Sequence, residues 1–247
     1  MKLNIFKKKQ FTGNYETWQD ALKAGGTYSD DKILKRAIHC RDWVLSGGAV
    51  YEQDLRMYHS KPFKPESLAT LLWIQSKERK LSVLDFGGSF GTSFYIHKDF
   101  LLPNTQWYIV EQEKYFKYAK THYETGQLKF YETPEGCPKS NVLYLSGVLA
   151  YLENPYKILE ELLALKIPYI ILDRNHFLDD SETPTKLTVQ KTNKMTVPTS
   201  FPCHLFNKKD LMDMFSDYEI IREWKEFGTA SEGMYYGGCL FALKKLK

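Results

Sequence analysis

The spacing of apolar positions along this chain changes near residue 81. Before that point, apolar residues recur at intervals of three and four, which is the spacing of amphipathic helices. After it, short apolar runs alternate with helical stretches, and this rhythm predicts a mostly parallel sheet with helices on both faces. The predicted strands cover residues 81–86, 107–111, 128–131, 141–146, 169–173, 217–225 and 237–244. The pattern thus predicts an α/β fold whose last two strands form an antiparallel pair.

Three helices are predicted within the first 80 residues. Asn14 can cap the first helix and Ser29 the second, while Pro65 suits the first turn of the third. We therefore expect an N-terminal helical cap over residues 1–80 and a main domain over residues 81–247. The stretch 174–206, which follows the fifth strand of the main domain, is predicted to be a lid segment.

The amino-acid composition is typical of a globular protein and does not by itself indicate a function. With 247 residues, 43% of them hydrophobic and 26% charged, the chain can form one sizeable core. The net charge of +4 is small, and the basic run Lys7-Lys8-Lys9 is expected to be a solvated N-terminus instead of a nucleic-acid site. No secretion signal or membrane span is expected, and the four cysteines lack paired spacing, so a cytoplasmic protein with reduced thiols is predicted.

The strongest chemical signal lies where the first predicted strand ends. That strand finishes with Asp85-Phe86, and a glycine-rich turn precedes the next helix. The turn contains Gly87, Gly88, Ser89 and Gly91. An acid followed by glycines at the second and sixth positions is the pattern of the S-adenosylmethionine-binding turn of class I methyltransferases, here with serine in place of the middle glycine. Asp85 and the turn residues are therefore candidates for cofactor binding, because glycines let the backbone approach a ligand closely.

The glycine-rich turn must also be compared with the motifs of two other classes of enzyme. A dinucleotide-binding fold requires Gly-x-Gly-x-x-Gly, and Ser89 stands where the second glycine would be. The turn also matches the Gly-x-Ser-x-Gly nucleophile elbow of α/β-hydrolases, with Ser89 as the nucleophile and with Asp173 and then His176 or His204 in the right chain order. A methyltransferase-like protein that only binds a partner is a further alternative.

Polar residues at the ends of the following strands favour the methyltransferase. Glu111 ends the second predicted strand, where a carboxylate can accept hydrogen bonds from both ribose hydroxyls of a nucleoside. Gln112 is expected beside the adenine, Glu132 follows the third strand, and Ser146 ends the fourth. A hydrolase elbow needs no acid like Glu111. We therefore predict S-adenosylmethionine as the cofactor, with S-adenosylhomocysteine as the product.

The fifth predicted strand leads into candidate acceptor-site residues. Asp173, Arg174 and His176 follow it at the same edge of the sheet. His176 is the candidate general base, because a neutral imidazole is available near pH 7 and Asp173 can orient it. Arg174 can bind a carboxylate or phosphate in bidentate fashion. No metal is predicted, since the other histidines lack acidic or cysteine partners at ligand spacing.

Several motifs together resemble one family over residues 11–244. They are Asn14-Tyr15 to Trp18 with Ala21, Tyr51-Glu52-Gln53-Asp54, Leu84-Asp85-Phe86-Gly87-Gly88-Ser89, Ser146-Gly147-Val148-Leu149-Ala150-Tyr151-Leu152 with Asn154-Pro155, and Asp173-Arg174. In these motifs the chain resembles class I methyltransferases encoded among bacterial surface-polysaccharide genes.

The resemblance implies a fold, an acceptor and a further contact residue. The implied fold is Rossmann-like, with a seven-stranded, mostly parallel sheet and an antiparallel last strand. The implied acceptor is a sugar, nucleotide-sugar or glycan intermediate, methylated on oxygen, and Tyr151 of the shared motif is a candidate to bind it. Neither the resemblance nor the residues decide the oligomeric state.

Overall fold

The computed structural model describes residues 10–27, 29–191, 199–226 and 233–244. The strands are β1 (Phe11–Tyr15), β2 (Tyr51–Gln53), β3 (Arg56–Tyr58), β4 (Ser82–Phe86), β5 (Gln106–Val110), β6 (Leu128–Tyr131), β7 (Val142–Ser146), β8 (Tyr169–Leu178), β9 (Lys186–Lys191), β10 (Ser200–Leu205), β11 (Tyr218–Lys225) and β12 (Met234–Leu243). The α-helices are α1 (Trp18–Gly25), α2 (Asp31–Leu45), α3 (Pro65–Glu78), α4 (Thr92–His97), α5 (Glu113–His122), α6 (Pro155–Ala164) and α7 (Lys208–Asp213).

The main sheet has seven strands in the order β11-β12-β8-β7-β4-β5-β6. Strands β4 to β8 run parallel to one another, whereas β12 is antiparallel to both of its neighbours, β8 and β11. This arrangement confirms the predicted seven-stranded, mostly parallel sheet with an antiparallel last strand. The chain moves outward from β4 to β6 and then returns to place β7 on the other side of β4. The carboxyl ends of β4 and β7 therefore flank a topological switch point, the usual position of ligands in such sheets.

The two faces of the sheet bury different sets of residues. On one face Leu172 and its neighbours pack with α6 and α7, and on the other Val83 and Ile171 pack with α3, α4 and α5. Side chains alternate between faces along a strand. Asp85, two residues beyond Val83, and Asp173, two residues beyond Ile171, therefore lie on the same face as α3 and α4.

The predicted helices of residues 1–80 are present, but their caps differ from those expected. Thr17 caps α1 and Asp30 caps α2, because their side chains accept hydrogen bonds from the backbone N–H groups of Asp20 (3.2 Å) and Lys32 (2.8 Å). Pro65 occupies the first turn of α3 as expected.

The N-terminal 80 residues also contain strands that the apolar spacing did not predict. Strands β2 and β3 form a hairpin. Strand β1 pairs with β9, which in turn pairs with β10, so a second, three-stranded sheet joins this part of the chain to the proposed lid segment. The division of the chain at residue 80 stays a prediction.

Strand β8 is longer than the predicted strand 169–173. It continues to Leu178, and its pairing with β12 shifts in register between Gly237 and Cys239, opposite Asn175 and Leu172. Such a bulge places an extra residue in one strand and changes the direction of a side chain. Arg174 lies in this bulge with a φ of 55°.

Parts of two sequence predictions fall outside the described residues. These are the basic run Lys7-Lys8-Lys9 and residues 192–198 of the proposed lid segment. Among the helices that the structure describes, none has both the length and the apolar character needed to cross a membrane.

Candidate functional site

The turn between β4 and α4 requires its glycines. Gly87, Ser89 and Gly91 have φ angles of 73°, 52° and 89°, in the left-handed region that favours glycine. A Cβ atom on Gly87 would lie 2.3 Å from Val148 Cγ2, and one on Gly88 would lie 2.5 Å from Asp85 Oδ2. The missing side chains therefore let this turn fold tightly over the end of β4.

Asp85 is a buried carboxyl beneath this turn. Only 1% of its surface is exposed, and Oδ2 accepts a hydrogen bond from Trp107 Nε1 at 2.8 Å. Burial disfavours the charged form and raises the pKa of Asp85 to about 7, while the bond from Trp107 acts in the opposite direction. Asp85 can therefore change its charge near neutral pH.

The raised pKa of Asp85 predicts a pH dependence of stability. Between about pH 4 and 7 the folded protein holds a proton on Asp85 that the unfolded chain releases, so this group lowers the free energy of unfolding as the pH rises. In Asp85→Asn this contribution is absent, and asparagine still offers an oxygen to Trp107. We expect the free energy of unfolding of the variant, relative to wild type, to increase from pH 4 to pH 8 in urea titrations. A pH-independent difference between the two proteins would contradict the assignment.

Glu111 is joined to the glycine turn by its carboxylate. It follows β5, and its oxygens accept hydrogen bonds from the backbone N–H groups of Ser89 (Oε1, 2.9 Å) and Gln112 (Oε2, 2.9 Å). Burial raises the pKa of Glu111, and these two bonds oppose the effect. Gln112 and Glu132 are exposed at the carboxyl ends of β5 and β6. The structure thus brings the turn and Glu111 together at one edge of the sheet.

A small cleft of about 20 Å³, surrounded mainly by residues with polar side chains, lies between the end of the sheet, α3, α4 and the β2–β3 hairpin. Its lining consists of Tyr51, Gln53, Lys64, Ser67, Thr92, Ser93, Ile96, His97, Tyr144, Ser146, Asp173 and Arg174. All of these except Ile96 carry a polar side-chain atom. The predicted site residues Ser146, Asp173 and Arg174 thus share one cleft, together with cap residues such as Lys64 that no sequence signal singled out.

Asp173 is held at the wall of this cleft by two hydroxyl groups. Tyr144 Oη and Ser146 Oγ both donate to Asp173 Oδ2 at 3.2 Å, and the aspartate is 5% exposed. Among the described residues, Asp173 Oδ1 has no hydrogen-bond donor. Sequence reasoning missed Tyr144, although it lies two residues before Ser146 and therefore on the same face of β7.

Arg174 forms an ion pair with the turn of the β2–β3 hairpin. Its Nη2 lies 2.7 Å from Asp54 Oδ2. The base of the same hairpin is fixed by Glu52, whose Oε1 accepts hydrogen bonds from Arg41 Nη2 (2.6 Å) and Thr92 Oγ1 (2.8 Å). Thr92 is the first residue of α4, directly after Gly91, so the hairpin connects the glycine turn with Arg174.

His176 lies in an aromatic enclosure between β8, β10 and β12. It is 1% exposed, its Nδ1 is 3.2 Å from Cys203 Sγ, and its ring meets those of Phe11, Tyr151 and Tyr236 edge to face. Burial, with a smaller effect from Arg174, lowers the pKa of His176 to about 3. Its imidazole is therefore neutral but a weak base, and the role of His176 as general base stays a prediction.

Tyr151 and Ser89 also have defined surroundings. The Tyr151 hydroxyl donates to Gln190 Oε1 at 2.7 Å. Tyr151, a candidate to bind the methyl acceptor, therefore also contacts strand β9.

Ser89 does not have the histidine partner that a nucleophilic serine needs, as far as the described residues show, because His176 contacts Cys203 and His204 stacks on Trp18. No three His, Cys, Asp or Glu residues in the described ranges come together as a metal-ligand group.

Comparison with known proteins identifies the fold. No family model and no curated protein sequence matches the chain. A solved structure of the N-terminal domain of EvdMO1, in the presence of SAH (S-adenosylhomocysteine) and D-fucose, is similar to it with a TM-score of 0.52 and 13% identity, covering 88% of this chain and 98% of that chain. The same domain with SAH bound gives a TM-score of 0.51, 11% identity and the same two coverages, 88% and 98%.

A further similar structure is an S-adenosylmethionine-dependent methyltransferase from Clostridium acetobutylicum, with a TM-score of 0.48 and 8% identity over 86% of this chain and 99% of that chain. At sequence identities this low, the similarity shows only that these chains share a fold. The strand order β6-β5-β4-β7-β8-β12-β11, with its antiparallel last strand, together with the similarity to the EvdMO1 domain, identifies the fold of this chain as the Rossmann-like fold of class I S-adenosylmethionine-dependent methyltransferases.

Proposed function

We propose that this protein is an S-adenosylmethionine-dependent methyltransferase. The observation that carries the proposal is the position of Glu111 beside the glycine turn at the switch point of the sheet. A carboxylate can accept more hydrogen bonds than the two that Glu111 receives from Ser89 and Gln112. It therefore keeps acceptor capacity for the ribose hydroxyls of a nucleoside.

The residues at this edge fit the chemical groups of S-adenosylmethionine. Gly87, Gly88 and Gly91 let the turn fold tightly over the end of β4, and buried Asp85 can orient the amino-acid end of the cofactor directly or through water. The proposed cofactor-binding residues are Asp85, Gly87, Gly88, Ser89, Gly91, Glu111, Gln112, Glu132 and Ser146. When bound, the cofactor supplies a methyl group on a positively charged sulfur, which is already strongly electrophilic. We propose no metal.

The main task of the protein is then to align an acceptor and remove its proton. Asp173 is the stronger candidate for the base, because it lines the cleft and its Oδ1 has no donor among the described residues. Tyr144 and Ser146 hold the other oxygen and so fix the direction of the carboxylate. His176, with a pKa of about 3, is the second candidate.

Polar side chains around the cleft, among them Ser146, Asp173 and Arg174, can form hydrogen bonds with a hydroxyl-bearing acceptor. We propose a sugar, nucleotide-sugar or glycan intermediate of surface-polysaccharide biosynthesis, methylated on oxygen, with Arg174 and Tyr151 as substrate-binding residues. The structurally similar EvdMO1 domain was crystallised in the presence of D-fucose, which makes sugars sensible first acceptors to assay. Transfer of a labelled methyl group to members of a panel of sugars and nucleotide sugars would identify the acceptor.

Binding of S-adenosylhomocysteine tests the proposed function without knowledge of the acceptor. We expect the wild-type protein to bind it in isothermal titration calorimetry. Glu111→Ala should weaken binding by about 10- to 100-fold, because hydrogen bonds to a charged group contribute about 1.5 to 3 kcal/mol. The matched control is Glu113→Ala, which removes an exposed carboxylate from α5 and should leave the affinity unchanged.

Other outcomes would favour the alternatives. Absence of S-adenosylhomocysteine binding at millimolar concentration, with heat released on addition of NAD, would support a dehydrogenase. Labelling of Ser89 by a fluorophosphonate, lost in Ser89→Ala, would support a hydrolase. Binding of the cofactor product without any methyl transfer across a broad acceptor panel would favour a protein that only binds.

A further inference from the structure

Three non-glycine residues with left-handed backbone meet at one ion pair beside the cleft. Asp54 and Leu55, which form the turn of the β2–β3 hairpin, have φ angles of 52° and 63°, and their ion-pair partner Arg174 has a φ of 55°. Such conformations are unfavourable for residues other than glycine, and they persist only where the surroundings hold them. The backbone is therefore strained on both sides of the Arg174–Asp54 ion pair.

The hairpin is anchored at its base but not at its turn. Glu52 is buried and bonded to Arg41 and Thr92, and the two side chains of the Arg41–Glu52 ion pair are 1% and 8% exposed. The Asp54 side chain, in contrast, is 62% exposed, and Arg174 is its main partner. The Asp54 carboxylate can therefore move away from Arg174 without loss of the anchoring contacts of the hairpin.

Arg174 has unused hydrogen-bonding capacity on the side of the cleft. Its side chain is 24% exposed, and among the described residues it makes one hydrogen bond, from Nη2 to Asp54 Oδ2. A guanidinium group offers further N–H donors in a planar arrangement that matches carboxylate and phosphate groups. Lys64 lines the same cleft, and its Nζ lies 3.7 Å from Glu226 Oε1, a distance too long for a good hydrogen bond.

Charged groups of both signs surround Arg174. The positive groups are Arg174 and Lys64, and the negative groups are Asp54, Asp173 and Glu226. Burial raises the pKa of Glu226 and so favours its neutral form. Replacement of Asp54 by an anionic group of a ligand leaves the charge around Arg174 unchanged, because one negative group takes the place of another.

We propose that Arg174, assisted by Lys64, binds a carboxylate or phosphate group of the acceptor, and that Asp54 occupies this anion site while the acceptor is absent. This inference rests on the proposed function and specifies its acceptor as an acidic or phosphorylated sugar. The exchange is favourable because the largely exposed Asp54 carboxylate makes one hydrogen bond with Arg174, whereas a bidentate anion makes two charge-assisted hydrogen bonds. A neutral sugar would gain nothing from displacing Asp54.

Calorimetry with three sugars of similar size tests the anion site, using the full chain with and without saturating S-adenosylhomocysteine. The probes are glucuronate for a carboxylate, glucose 6-phosphate for a phosphate, and glucose as the neutral control. We expect at least one anionic probe to bind about tenfold more tightly than glucose. Asp54→Asn should tighten that binding by about three- to tenfold, because a competing internal ligand is removed. Arg174→Gln should abolish the preference for the anionic probe.

The controls separate this proposal from the proposed function. Asp213→Asn removes a carboxylate of similar exposure from α7 and should change no affinity. Retained S-adenosylhomocysteine binding by Arg174→Gln shows that this variant is folded. Equal affinities for glucose and both anions, an unchanged or weaker affinity in Asp54→Asn, or an unchanged preference in Arg174→Gln would overturn the anion site. Arg174-dependent anion binding by a protein that does not bind S-adenosylhomocysteine would instead refute the proposed function and leave the anion site standing.

Discussion

Asp173→Asn is expected to lower the rate of methyl transfer by about 10² to 10⁴-fold, the usual contribution of a general base. Asparagine keeps an oxygen to accept the hydrogen bonds of Tyr144 and Ser146, so the cleft retains its shape while the group that takes the proton is lost. The measurement is turnover with the acceptor found by the methyl-transfer screen. The affinity for S-adenosylhomocysteine should change little, because the base acts on the acceptor.

His176→Ala provides the comparison that decides between the two candidate bases. If Asp173 is the base, this variant loses aromatic packing around the enclosed imidazole and is destabilised, but turnover per folded molecule stays within about tenfold of wild type. A loss of more than about 10² in turnover, at a temperature where the variant remains folded, would transfer the role to His176. Near-normal turnover in both variants would mean that alignment alone, without a base, suffices.

Gly238→Ala is expected to destabilise the protein by about 3 kcal/mol, near the upper end of the range for overpacking a core. A Cβ atom at Gly238 would lie 2.4 Å from the carbonyl oxygen of Leu172 and 2.4 Å from Trp224 Cζ2. The carbonyl belongs to the interior strand β8 and cannot move aside as a flexible side chain could. The midpoint of urea unfolding should fall accordingly.

The matched control for this substitution is Gly126→Ala. Apart from Gly126 itself and its two chain neighbours, no residue has an atom within 4 Å of the Cβ position at Gly126, so the effect of the substitution should stay within about 0.5 kcal/mol. Equal unfolding midpoints for Gly238→Ala and wild type would show that β12 can shift at this point. Gly238 lies opposite the bulge of β8, so a loss of stability here would show that β12 must approach β8 closely at this bulge.

Features that depend on local chemistry could be predicted from the residues alone. The turn after β4 could be predicted because its left-handed positions at Gly87 and Gly91 require glycine, whatever the rest of the chain does. The parallel sheet could be predicted because short apolar runs alternated with helices, and Pro65 marked a helix start through its own fixed φ. Glu111 was found because it directly follows a buried strand, and strand ends meet at one edge of a parallel sheet.

Contacts between residues far apart in the chain could not be predicted and became known from the folded structure. The pairing of β1 with β9 and the contact of Asp54 with Arg174 join parts of the chain far apart in sequence, and no local pattern carries that information. The sequence placed Asp173, Arg174 and His176 together after one strand, yet the bulge at Arg174 separates them. Asp173 and Arg174 line the cleft, whereas His176 continues along β8 into an enclosure of aromatic rings. A single extra residue in a strand changes the direction of every side chain after it, and that residue is visible only once the neighbouring strand fixes the register.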